Sequence, residues 1–152
     1  MSDLTFLPAV VMAKHVREKK ISPVELADAH LAKIAQLNPK LNAFVHVDSE
    51  RVRREARQAE ALAMSGKELG PLHGVPISIK SSLDVAGLRC EAGSRLRAGN
   101  VATQDAPLVA RLRDAGAVML GVTNTPELLM AWETDNLLYG RTNNPWDVER
   151  TA

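Results

Sequence analysis

Lys80 closes a short apolar run, Gly70-Pro71-Leu72-His73-Gly74-Val75-Pro76-Ile77-Ser78-Ile79-Lys80-Ser81-Ser82, and its place there raises a chemical question. Pro71, Gly74 and Pro76 preset a tight turn. In the extended segment that follows, Val75, Ile77 and Ile79 share one face, and Pro76, Ser78, Lys80 and Ser82 share the other. The apolar run is expected to carry the lysine indoors. An amine withdrawn from water holds its proton less tightly, and one that is neutral near pH 7 serves as a general base. Taken alone, Lys80 also reads as a strand-end cation reaching back to solvent. Ser78 and Ser82 lie about 6–7 Å from it along a strand, near enough for a hydroxyl to bond to the amine. No oxyanion-binding amides are recognisable beside them, so neither is expected to act as a nucleophile.

The elements that must position this lysine follow from caps and periodicity. Residues 7–18 read as a helix ending near Lys19-Lys20, where cations suit the negative end of the helix dipole. Ser22-Pro23-Val24-Glu25 is a capping box with proline in the first turn. The helix it opens is expected to stop at Asn38-Pro39. Residues 41–47 suit a short strand or an extended link, and residues 49–65 a charged helix ending at Gly66. Its arginines 51, 53, 54 and 57 are interleaved with Glu50, Glu55 and Glu60, which reads as a solvated face. After the Lys80 strand, residues 86–104 read as a loop. Asp105 caps a helix whose Leu108, Leu112 and Ala115 are expected to face inward, and Gly116 ends it. Ala117 to Val122 is a buried strand. Thr125-Pro126-Glu127 reads as another helix start, and residues 134–147 as ordered turns. Helices alternating with strands make the fold class α/β.

The chain carries an ordered set of motifs beyond the Lys80 run. Asp84-Val85-Ala86-Gly87 and Ala92-Gly93-Ser94-Arg95 come first, then Asp105-Ala106-Pro107-Leu108-Val109 and Asp114-Ala115-Gly116-Ala117-Val118. Thr123-Asn124-Thr125-Pro126-Glu127, Glu133-Thr134-Asp135-Asn136 and Tyr139 through Asp147 complete it. In this order and spacing the set resembles the amidase signature family across most of residues 20–152. The resemblance implies the N-terminal part of that family's fold, a mixed β-sheet flanked by helices. It also implies hydrolysis of carboxylic amides through a Ser–cis-Ser–Lys triad in which Lys80 matches the lysine. Both serines belong to a Gly- and Ser-rich segment that in the family follows the Asn-Pro-Trp-Asp stretch. This chain stops at Ala152 and contains neither. Position 81 departs too: the family usually has aspartate after the lysine. The region of Met130 lies near the acyl-binding side in the family, which makes Met130 a substrate-lining candidate. A core methionine and a packed Trp132 are the competing reading.

The other reactive side chains offer less. His73 reads as a turn residue bonded to backbone, and His15, His30 and His46 lack metal-ligand spacing with one another or with Cys90. No metal or other cofactor is expected, since phosphate-binding glycine motifs are also absent. Glu133, Asp135, Asn143 and Asn144 are expected to hold turns together. Cys90 is the one cysteine and reads as a small packed residue; with no disulfide available, a cytoplasmic protein is the simpler expectation. With 19 basic against 18 acidic side chains, nothing favours a nucleic acid or an anionic membrane as a direct partner.

These readings converge on a single incomplete amidase domain over 1–152, with N-terminal helices in 1–66 and the start of the central sheet, bearing the lysine, in 70–152. The partner expected is a small-molecule amide. An amidotransferase A-type component, acting on glutamine with partner subunits, is the alternative enzyme. A truncated, non-catalytic product is the alternative outside enzymology. Uncovered sheet edges would then invite self-association, and a full-length enzyme could form a homodimer.

Overall fold

Ser22 opens the longest helix, α2 (Pro23–Leu41). Its Oγ accepts the Val24 N–H at 2.9 Å, and Glu25 Oε2 accepts the Ser22 N–H at 2.8 Å, which is the expected capping box. The helix does not stop at Asn38-Pro39. Pro39 lies in its last turn, where a missing N–H removes only one bond. Asn42, at φ 50°, ends it, donating its amide to the Asn38 carbonyl at 2.8 Å.

The computed structural model describes residues 3–152 and divides them into two compact units. The first comprises residues 3–33, 48–77 and 110–120. Leu4–Phe6 form a 3-10 turn and Pro8 flanks the next element, so helix α1 spans Ala9–Arg17 and starts later than residue 7. Helix α3 (Ser49–Met64) is capped by Asp48, whose carboxylate accepts the Arg51 N–H at 2.9 Å. Val52, Ala56, Ala59 and Ala63 form its buried stripe. Met12, Ala13, Val16, Leu26, Ala63 and Val75 make one apolar cluster, with Leu4, Leu7 and Ile21 packed against it.

The second unit comprises residues 34–47, 78–109 and 121–152. It holds strand β1 (Phe44–His46), and strands β2 (Pro76–Lys80) and β3 (Val118–Thr123) run into it. The sheet order is β1-β3-β2. β1 and β3 are antiparallel, with Phe44 opposite Thr123 and a bulge before His46. β2 and β3 run parallel: Val118 donates to the Val75 carbonyl at 2.9 Å, and Ser81 donates to that of Thr123 at 3.0 Å. The result is the mixed sheet of an α/β fold. Gly121 is required where β1 passes, since a Cβ there would lie 2.4 Å from the His46 carbonyl oxygen.

Helix α4 (Pro107–Asp114) buries Val109 and leaves Leu108 exposed, reversing the expected inward residue. Residues 127–129 form a single 3-10 turn in place of the expected helix. Leu128 and Leu129 adopt left-handed backbone, at φ 48° and 65°, which a right-handed helix cannot run through, and the Leu128 amide bonds to the Ala92 carbonyl. Residues 134–147 form turns, as their composition suggests.

Candidate active site

Alternation along β2 sets the site. Val75 and Ile79 are buried, and Ser81 is only 1% exposed, while Ser78 and Lys80 are open to solvent. The face assignment holds for Val75, Ile79, Ser78 and Lys80, while Pro76 on the lysine's side is buried and Ile77 is half-buried, and the expected burial of the lysine does not hold. β2 lies at an edge of the sheet, and Lys80 is exposed, its side-chain amine having no hydrogen-bond or ion-pair partner among the described residues. An apolar run tells which residues share a face, not whether a second layer covers the other one.

What is rigid here is the backbone around the lysine. Ser81 donates its amide to Thr123, and its carbonyl accepts the Ala92 N–H at 3.0 Å and the Cys90 thiol at 3.2 Å. The Ser81 hydroxyl is buried and unpartnered, as is that of Thr125 just beyond β3. Burial, reinforced by the Asp84 carboxylate, pushes the Cys90 thiol up to about 11, which makes it inert near neutral pH. Ser82 is half-buried, and neither it nor Ser78 makes a side-chain hydrogen bond among the described residues.

The Asn124–Thr142 region is braced by amides. Asn136 Nδ2 donates to Asn124 Oδ1 and to the Thr125 carbonyl, both at 2.8 Å. Its Oδ1 accepts the Leu138 and Tyr139 amides at 3.0 and 2.7 Å. Asn124 Nδ2 reaches the Gly140 carbonyl at 3.0 Å and Thr142 Oγ1 at 3.1 Å. Thr142 in turn donates to the Asn42 carbonyl at 2.7 Å. Both asparagines are buried and saturated, a condition that rigidifies a polar cluster.

These two were not singled out from the sequence as turn-holding residues. The expected set is only half right. Asn143 donates to the Lys40 carbonyl at 2.7 Å and Asn144 accepts the Trp146 amide at 2.9 Å, whereas Glu133 and Asp135 are exposed and their carboxylates hold nothing among the described residues.

Met130 and Trp132 stand in the open, at 84% and 100% exposure, so within these 152 residues neither packs in a core. A shallow depression of about 260 Å³ is lined by Leu129, Met130, Ala131 and Trp132. His73 is the backbone-bonded turn residue expected: it is buried, with Nε2 2.8 Å from the Ala59 carbonyl. Among the described residues no group of three or more His, Cys, Asp or Glu side chains could hold a metal, and no helix is long and apolar enough to cross a membrane.

Of the α3 arginines, Arg54 and Arg57 are exposed as expected, whereas Arg51 and Arg53 are partly buried in ion pairs. Arg51 and Arg113 both reach Glu55 Oε1, at 3.0 and 3.3 Å, and Arg53 pairs with Asp28 at 2.8 Å.

Comparison with known proteins places this geometry. Residues 25–152 match the family model described as Amidase. An acylamidase of Rhodococcus erythropolis is 43% identical over 150 residues, covering 99% of this chain and 31% of its own. A glutamyl-tRNA(Gln) amidotransferase subunit of Salinispora arenicola is 42% identical, covering 99% and 30%. Among solved structures, a bacterial aryl acylamidase of the amidase signature enzymes superposes with a TM-score of 0.90 at 28% identity, over 99% of this chain and 31% of that one. The chain thus spans about a third of the length of the relatives it matches.

Proposed function

Since this chain belongs to the amidase family, we propose that it forms the lysine-bearing part of an enzyme that hydrolyses carboxylic amides, with Lys80 as the general base. The observation that carries this reading is the end of β2. There a solvent-facing amine free of ion pairs stands on a backbone held from both sides through Ser81. A base that must accept and return a proton is better left unpaired than locked to a carboxylate, which would hold it charged.

The chemistry follows. The neutral Lys80 amine takes a proton relayed through one serine hydroxyl from a second serine. That serine attacks the amide carbonyl, forming an acyl-enzyme as the C–N bond breaks and the amine leaves with a proton. Water then releases the acid. Both serines, and the cover that would lower the lysine's proton affinity, have to come from protein outside these 152 residues. Met130 is proposed to line the acyl side. The partner is a small amide, and the compartment the cytoplasm.

A second enzymatic reading rests on a specific fact: the amidotransferase relative is as similar as the acylamidase, 42% against 43%. On that reading the same lysine serves ammonia release from glutamine, with partner subunits. The two separate in one assay. Residues 1–152, joined to the remaining region of the Rhodococcus acylamidase, are expected to release ammonia from simple amides without any partner. Release from glutamine alone, and only with added subunits, would favour the amidotransferase. The 152-residue chain by itself is expected to show no turnover; hydrolysis by it that Lys80→Ala and Ser82→Ala both abolish would contradict this.

A further inference from the structure

Two motifs that the proposed chemistry leaves unused meet next to the lysine. Ala92-Gly93 and Leu128-Leu129 are 36 positions apart in sequence, and both pairs adopt left-handed backbone: φ is 47° and 64° in the first, 48° and 65° in the second. Three of these four residues carry side chains, for which that conformation is strained. Such strain persists only where neighbours over-determine it. Here they do. The Leu128 amide donates to the Ala92 carbonyl at 2.9 Å. Ser94, fully buried, donates its hydroxyl to Glu127 Oε1 at 2.7 Å. Gly93 admits the close approach, since a Cβ on it would lie 2.8 Å from the Thr125 carbonyl oxygen. The Ala92 amide closes the circuit by donating to the Ser81 carbonyl, one residue after Lys80.

We infer that Ser94 and Glu127 are positioning residues: they latch the two left-handed turns together and so hold the Met130–Trp132 wall in register with the backbone that carries Lys80. This inference rests on the proposed role of Lys80. Glu127 is exposed and its carboxylate has no other partner among the described residues, so it is free to serve the latch. The element is a hydrogen bond to an acceptor oxygen, and that sets the test.

Glu127→Ala removes the acceptor, whereas Glu127→Gln keeps an oxygen in the same place. In the 152-residue chain, amide hydrogen exchange is expected to show Leu128 losing protection at least tenfold in Glu127→Ala and in Ser94→Ala. Protection is expected to be retained in Glu127→Gln and to stay unchanged at Val122 in all three. In the enzyme completed with the remaining acylamidase region, Glu127→Ala is expected to lower kcat by about tenfold or more with KM within threefold, since small misplacements of reacting groups have such effects. Glu127→Gln is expected to restore the rate. Unchanged exchange at Leu128 overturns the latch, and so does a rate loss that glutamine fails to restore. Lys80→Ala turning over normally in the same completed enzyme would instead overturn the reading of the site, leaving the exchange result to decide the latch.

Discussion

Asn136 Nδ2 and Asn124 Oδ1 lie 2.8 Å apart inside the second unit, and the remaining bonds of the two amides go to backbone groups and to the Thr142 hydroxyl. This pair turns residues 124–142, which have almost no regular structure, into a fixed support. Asn136→Asp tests it with little change in shape. Aspartate keeps the acceptor for the Leu138 and Tyr139 amides but sets an oxygen against Asn124 Oδ1 and the Thr125 carbonyl. A loss of about 2–4 kcal/mol in urea unfolding at pH 7 is expected, because a buried charge then faces two acceptors. The loss should shrink as pH falls and the carboxyl protonates.

Glu55 plays the corresponding part in the first unit. Its Oε1 accepts from Arg51 and Arg113, and its Oε2 accepts the Met119 backbone N–H at 3.2 Å. Glu55→Ala leaves a largely buried arginine and a strand amide without their acceptor. A destabilisation of about 2–4 kcal/mol is expected by urea denaturation. Glu50→Ala, which removes an exposed pair with Arg53, is expected to change stability by less than about 1 kcal/mol.

Cys90 gives a pH dependence whose sign is fixed. Its thiol is pushed up to about 11 from an ordinary value of 9.0 by burial and by Asp84. The folded state therefore holds the thiol proton more tightly than the unfolded chain. The associated stability is complete below pH 9 and disappears as pH rises through 11. Thermal melts are expected to fall over that interval and to fall less in Cys90→Ala. At pH 8 the native thiol is expected to resist a disulfide reagent that labels it promptly in urea.

Caps, strand alternation and the end of α4 at Gly116 were legible in the sequence because each depends on residues within one or two turns of chain. The Ser22–Glu25 box is the plainest case. What local pattern does not carry is which faces receive a covering layer. Lys80 sits on the face that alternation assigns to it, yet it lies in the open. Trp132 looks like a core residue by type and is fully exposed. The asparagine support was illegible for a related reason. Its bonds join Asn42 to Tyr139, 97 positions away, and Asn124 to Asn136, so no window of sequence contains the network. The Thr125-Pro126-Glu127 start signal was overridden because Leu128 and Leu129 turn left-handed, held by a bond to the Ala92 carbonyl 36 positions away.

Ser81 separates a structural role from a chemical one. Its hydroxyl is buried without a partner, so Ser81→Ala is expected to leave the 152-residue chain as stable as before or more stable by up to about 1 kcal/mol, measured by urea unfolding. A clear loss would mean that the hydroxyl is bonded in solution.

The most direct measurement is amide turnover by the completed enzyme with and without the Lys80 amine. Lys80→Ala is expected to lower kcat/KM by about 10²–10⁴-fold, the range for removing a general base, with an unchanged melting temperature. Turnover within a few-fold of the unsubstituted enzyme would contradict the assignment of Lys80 as the base.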